Sequence, residues 1–401
     1  MANGTMWWLA LVTAAISSGS AFSTTGALSW PRIRPFTAGT NDPCSGDPRM
    51  IALREAAAVT RVHQSEDVGL IINLMSTHGT SAGVQEAAFG VFWSLAANSQ
   101  KQVLIATSGG IEAVVRGMGA HGSSAGVQAQ GCSALCSLAG NAVIEEASKE
   151  DGSCPEDGCP VCCNLAGNAE IQQAIALQGG IEAVVGAMMA HASNEGVQET
   201  GCWALRNLAF NALNRVVIAT KGGIEAVVGA MGAHGSSAAV QEQGCKALCI
   251  LSFNADNRVA IVARGGIEAV VGAMAVHGSS AGVQEKGCSA LSNLAVNTGN
   301  EMAIAAKGGI EAVVRAMEAH ESSAGVQEKA ISSLDNICWT SSALRSHVRE
   351  AGALPLVFKA MSAFPDDLHL QQRGKALLNT LGEWVGDSVG NSDVVGNSDG
   401  W

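Results

Sequence analysis

The seven residues GGIEAVV occur five times in this chain, beginning at Gly109, Gly179, Gly222, Gly265 and Gly308. The last four copies stand 43 residues apart, and the first interval is 70. A fixed period of this length limits the fold before any motif does. One such unit cannot bury its own apolar face, so successive units must stack and show their neighbours the same surface. Each unit reads in three parts. NRVAIVAR (257–264) has the pattern of a short amphipathic helix. Gly265 and Gly266 break it, and IEAVVGAMAVH (267–277) starts a second helix with Glu268 in its first turn, where the helix dipole favours an acid. GSSAG is a turn, and VQEKGCSALSNLAVN (283–297) is a longer third helix. Composition agrees. Hydrophobic residues make up 47% and aromatics only 4%, with no Tyr, so the core must come from small aliphatic, Met and Cys side chains, which suit close helix packing.

The three-helix layout, the Gly break and the ALSNLA segment resemble the armadillo repeat, over about Ile51 to Glu383. The resemblance implies an all-α fold, a right-handed superhelical α-solenoid of 43-residue units, with the third helices lining a concave groove. On this reading residues 49–383 form the solenoid. The final unit, 351–383, carries Pro355 at the start of its second helix, and the repetitive acidic tail 384–401 is expected to be disordered.

The odd interval has its own signature. Asn141 and Asn168 occupy the same place in two LAGNA segments only 27 residues apart. The extra piece, VIEEASKEDGSCPEDGCPVCC (143–163), reads as a truncated repeat or an insert, with a bend or a looped-out segment expected there. It holds Cys154, Cys159, Cys162 and Cys163, four thiols that could bind zinc, although the adjacent pair is awkward for one ion and no partner knuckle follows.

The N-terminus is different in kind. Met6 to Ile16 is an apolar run too short to span a bilayer, followed by small residues up to Ala21. This predicts a secretory signal over 1–21. Residues 22–48 are rich in Ser and Thr, carry Arg32 and Arg34, and have no acid before Asp42, which are transit-peptide traits. Together they resemble the bipartite plastid presequences of algae with secondary plastids. That implies entry to the secretory pathway and a plastid stroma destination, against a plain secretory signal with a flexible leader. The net charge of −12 argues against nucleic acid and against an anionic membrane surface once such a presequence is removed.

Comparison of the copies with each other locates the variable positions. With the Asn of LSNLA as reference, the third helices carry Ser94, Ser137, Asn207, Ile250, Asn293 and Asn336. Positions two, three, five and six before the reference barely change and are packing positions. The reference itself and positions one, four and seven before it do change, and they fall on one stripe of a helix. Such a stripe suits a sequence-reading surface, against relaxed drift on a solvated face. The armadillo resemblance implies that a Trp and an Asn four residues apart hold an extended peptide, a pair that only Trp203 and Asn207 reproduce. Asn293 and Asn336 keep the Asn but have Ser289 and Ser332 in place of Trp. The candidate peptide-binding residues are therefore Trp203, Arg206, Asn207, Lys246, Lys286, Asn293, Lys329 and Asn336. Lys286 and Lys329 stand where readers of basic peptides favour acids, while the adjacent Glu199, Glu242, Glu285 and Glu328 leave the charge mixed.

Other ladders read as structural. His78, His121, His191, His234, His277 and His320 each end a second helix, where a ring N–H can meet orphan carbonyls. Helix spacing of about 8–10 Å is too wide for stacked His residues to share an ion with bonds of about 2 Å. Asn98, Asn141, Asn168, Asn211, Asn254 and Asn297 are expected to stop third helices in the left-handed conformation. Cys132, Cys202, Cys245 and Cys288 occupy one buried position too widely spaced for disulfides, which suits a reducing compartment. No HExxH, Walker loop, dinucleotide fingerprint or nucleophile elbow appears. The expectation is a non-enzymatic scaffold without a cofactor, binding a protein or extended peptide along the third-helix groove. The alternatives are an assembly subunit using its convex or end surfaces, or a thiol or zinc module at 154–163.

Overall fold

The computed structural model of the chain describes residues 47–140 and 160–383. The predicted signal and leader up to residue 46, Cys154 and Cys159 of the insert with the side chains of Cys162 and Cys163, and the tail from residue 384 lie outside what is described. Contacts divide the chain at Met50 and Ile51, and the account below concerns the unit that begins at Ile51.

The described residues form helices and no strand. In chain order these are α1 (Pro48–His63), α2 (Val68–Thr77), α3 (Ala82–Leu95), α4 (Ser99–Thr107), α5 (Gly110–Ala120) and α6 (Ala125–Ala139). After the undescribed segment come α7 (Pro160–Leu177), α8 (Gly180–Ala190), α9 (Glu195–Leu208), α10 (Ala212–Thr220), α11 (Gly223–Ala233) and α12 (Ala238–Leu251). The series continues with α13 (Ala255–Ala263), α14 (Gly266–Val276), α15 (Ala281–Leu294), α16 (Asn300–Ala306), α17 (Gly309–Ala319) and α18 (Ala324–Cys338). It closes with α19 (Ser342–Glu350), α20 (Ala353–Ala363) and α21 (Leu368–Leu381). The period of three helices is the one the sequence predicts, with bounds shifted by a few residues.

The repeated Gly-Gly has two separate causes. At Gly222 the backbone takes φ +83°, a left-handed turn that a side chain would strain. Gly223 is needed for space, because a Cβ there would stand 2.3 Å from Cγ2 of Ile218. The chain consequently bends by 70° between α10 and α11, and by 66–70° at the other three such pairs measured. Among the described residues no single helix is both long and apolar enough to cross a membrane.

The Asn residues after the third helices correct the expectation of left-handed stops; Asn168 lies within α7 and ends no helix, and Asn141 is outside the described residues. Asn98, Asn211 and Asn254 are extended, with φ −95°, −73° and −92°, and they cap the following first helix. The side-chain oxygen of Asn98 accepts the N–H groups of Gln100 and Lys101, and that of Asn254 accepts the N–H of Asn257. Asn favours this role because its short side chain reaches the unpaired donors of a first turn. At Asn297 the cap moves on to Gly299, and the Asn297 side chain instead accepts a bond from Nε of Arg258 at 2.7 Å.

Third helices pack one upon the next in the order α3, α6, α9, α12, α15, α18, α21, forming a continuous layer. Positions two, three, five and six before the reference are its core: Leu248, Ala247 and Cys245 are fully buried, and a Cβ at Gly244 would strike Met231. Burial pushes the thiols of Cys132 and Cys202 up to about 12, and all four ladder cysteines are free. A buried Gln opens each core. The Nε2 of Gln241 donates to the carbonyls of Met231 at 2.8 Å and His234 at 3.0 Å, tying a third helix to the end of its second helix. Gln85, Gln128, Gln198, Gln284, Gln327 and Gln371 repeat this contact.

The histidines tie one unit to the previous one. Nε2 of His234 lies 2.8 Å from the carbonyl of Ala192, and His277 and His320 bond the equivalent carbonyls of Gly235 and Gly278. His191 makes the same bond to Gly122 across the odd interval, 69 residues away instead of 42. The stack keeps its register over the 27 extra residues.

Candidate functional site

The variable stripe lies on the third-helix layer, opposite the packing positions just described. In α12 the packing residues are buried while Gln243, Lys246, Cys249 and Ile250 remain partly open. Lys286, Ser289 and Asn293 of α15, and Lys329, Ser332 and Asn336 of α18, are likewise half-buried. The α9 segment sits deeper. Trp203 is half-buried against the core, and Arg206 and Asn207 are only 8% and 7% exposed. The Arg206 guanidinium lies 5.7 Å over the Phe210 ring.

The reference asparagines are engaged between helices. Nδ2 of Asn207 donates to the carbonyl of Cys136 at 3.0 Å, and Nδ2 of Asn293 to that of Cys249 at 3.1 Å. Asn336 reaches the carbonyl and hydroxyl of Ser292 at 3.1 and 2.9 Å. Ser137 does the same with its hydroxyl, 2.9 Å from the carbonyl of Trp93. In every case the acceptor belongs to the residue one before the reference in the preceding unit, near the end of a helix whose last carbonyls lack an intrahelical donor. Ile250 breaks the row, since it has no side-chain donor to offer the carbonyl of Arg206. Among the described residues no donor meets Oδ1 of Asn293 or Asn336, so each amide keeps an acceptor on the open side.

The charged members of the stripe are paired locally. Lys246 lies 2.7 Å from Glu242 one turn away, Lys286 pairs with Glu285, and Lys329 lies 2.9 Å from Glu328. Asp335, the acid of the stripe, is buried. That burial pushes its carboxyl up, while the Thr380 hydroxyl, bonded at 2.7 Å, and the Arg373 charge act the other way. At Cys249 burial dominates and holds the thiol at about 11, opposed in turn by the fields of Lys286, Lys329 and Arg206. Among the described residues no cluster of His, Cys, Asp or Glu has the geometry to hold a metal ion.

A period of three helices bent at a Gly pair, with third helices stacked into one layer, is the geometry against which known proteins can be compared. The family model described as LRRK2 ARM repeat matches residues 62–354. The chain belongs to the armadillo-repeat family. No curated protein matches it. Among solved structures, one engineered protein superposes with a TM-score of 0.55 at 20% identity, covering 68% of this chain and 98% of its own. A second engineered protein gives 0.54 at 22% identity, covering 82% and 85%. At these identities the likeness shows the fold alone. It joins an armadillo solenoid to a third-helix stripe whose asparagines hold the repeats together by one amide end.

Proposed function

We propose that this armadillo solenoid is a non-enzymatic interaction scaffold that binds an extended peptide along its third-helix face. The observation that carries the reading is the stripe itself. Side chains that differ between near-identical repeats are gathered on one partly open face, above packing positions that hardly differ. Oδ1 of Asn293 and Asn336 would accept N–H groups of the peptide backbone, one per repeat, while Trp203 and Lys246, Lys286 and Lys329 would meet its side chains. Repeats of regular rise then meet a chain of regular rise, and affinity accumulates along the face.

The test is a peptide-display selection on the full chain, repeated with Trp203→Ala, Asn293→Ala and Asn336→Ala combined in a variant whose helix content and thermal unfolding are followed in parallel. Peptides enriched by the native chain and lost by the folded variant support the reading. Enrichment that survives the substitutions transfers binding to another surface. A row of exposed apolar residues at one position of the first helices, Val103, Val216, Val259 and Met302, favours assembly through that surface as the second reading.

A further inference from the structure

Resting on that reading, we infer that the extended peptide carries one large, uncharged apolar side chain, seated on Trp203, Cys249 and Ile250 where α9 meets α12. From α6 to α18 the stripe is otherwise polar. Its reference, minus-one, minus-four and minus-seven positions hold Ser, Thr, Asn, Gln, Lys, Arg and Asp, apart from these three residues and the buried Cys136. Trp203, Cys249 and Ile250 pack against the core yet stay partly open, so they offer apolar surface on the outward side.

Register brings the three together. The bonds of Asn293 and Asn336 set each reference residue beside the minus-one residue of the preceding third helix. Ile250 therefore stands beside Arg206, and Trp203 lies one turn before Arg206 on the same face of α9. Side chains of a helix lean toward its N-terminus, which carries Ile250 toward the level of Trp203. Cys249 precedes Ile250 in α12, and its Sγ lies 3.3 Å from Nδ2 of Asn293.

Charge does not compete for this place. Lys246, one turn before Ile250, is held by Glu242 at 2.7 Å, and the Arg206 guanidinium is buried over the Phe210 ring. A charged side chain set there would lose hydration without meeting a free counter-ion, whereas an apolar one gains by covering apolar surface. A few such desolvated anchors dominate the affinity of an interface.

The gap in the asparagine row fixes where the anchor falls. Ile250 has no side-chain acceptor for a peptide N–H, while Asn293 and Asn336 keep Oδ1 on the open side. Packed helices stand about 8–10 Å apart, and an extended chain advances about 3.4 Å per residue. The anchor is therefore about two or three residues from the backbone bond at Asn293, and about five from that at Asn336.

The probe is a display library of random 12-residue peptides selected on the full chain. Enriched peptides should share Leu, Ile, Met or Phe at one aligned position. Changing that residue to Ala should weaken binding to the native chain at least tenfold, read by fluorescence anisotropy. Ile250→Asn restores the amide of the row, so the fold is expected to hold. It should weaken the parent peptide at least tenfold, yet bind the Ala-substituted peptide as the native chain does. Ile250→Leu should keep the affinity. Enriched peptides with no aligned apolar residue overturn the proposal, as does parent-peptide binding unchanged by Ile250→Asn. The combined Asn293→Ala and Asn336→Ala variant separates this failure from that of the reading beneath it. Peptides that need both asparagines but share no apolar residue leave the face as the site and remove its anchor. Peptides indifferent to the asparagines and to Ile250, or no enrichment at all, remove both.

Discussion

Between Gly179 and Gly309 each second helix is tied to the next first helix by a charge pair, and across the odd interval it is not. Glu182 meets Lys221 at 2.8 Å, Glu225 meets Arg264 at 2.6 Å, and Glu268 meets Lys307 at 2.7 Å. In the unit before the interval, Glu112 turns to Arg116 within its own helix, and Gln178 stands where those cations would be. What the two regions share is satisfaction of buried carbonyls. Asn257 reaches the carbonyls of Arg215 and Leu251 in the regular region. At the interval longer amides take over: Gln102 reaches the carbonyls of Ser137, Leu138 and Gly140 at 2.9, 3.0 and 2.6 Å, and Gln172 that of Ala139 at 2.9 Å. The stack can lose a surface charge pair worth about 0–1 kcal/mol. It does not leave a helix end unmet inside the core, where each lost bond costs about 1–3 kcal/mol.

The largest effect is therefore expected at the interval. Gln102→Leu removes the amide whose two N–H groups are shared by the carbonyls of Ser137 and Leu138 in α6 and of Gly140 just after it, and should cost about 3 kcal/mol. Because repeats are coupled only to their neighbours, the loss should split chemical unfolding of the full chain into two phases, the helices up to α6 melting first. A single transition at an unchanged midpoint would mean that the amides do not carry the junction. Asn257→Leu, in the regular region, removes two bonds and should cost about 2 kcal/mol without splitting the transition.

A smaller effect tests the gap in the asparagine row. Ile250→Asn restores the amide of the row beside the carbonyl of Arg206, which already accepts the N–H of Ala209 at 3.2 Å, and should stabilise the chain by under about 1 kcal/mol, read as a shift in denaturation midpoint. Asn293→Ala should cost a similar amount. If Asn293→Ala proves neutral while peptide binding falls, the row serves the partner and not the stack.

The period, the helix order and the third-helix packing positions were legible because stacking forces every unit to repeat them. Gln241 was less so. A polar residue inside an apolar helix reads as surface, and its partners Met231 and His234 lie across a turn. Its recurrence in every copy, as regular as Leu248 or Cys245, was the available signal. Asn254 was misread because helices α12 and α13 lie so close that one residue both follows the first and precedes the second, and only the backbone angle separates the roles. The stripe was visible as variation. That its asparagines also bond the preceding helix was not, since a bond across 44 residues leaves no local pattern.

The smallest effect concerns the charge pairs that distinguish the two regions. The bond from Lys307, assisted by the backbone at Glu268, outweighs the opposing effect of burial and lowers the Glu268 carboxyl below its usual range. A group whose folded pKa is depressed stabilises the fold above its unfolded value, about 4.3 for Glu, and loses that contribution as pH falls through the folded one. Both side chains are about half exposed, so solvent screening keeps Glu268→Gln to under about 0.5 kcal/mol at neutral pH. The difference between native chain and variant should shrink to nothing under acid. Gln172→Leu, acting through a buried amide, should show the same loss at pH 4 as at pH 7. A charge-pair variant whose deficit persists in acid would place Glu268 among the packing residues, and the contrast between dispensable charges and obligatory amides would fail there.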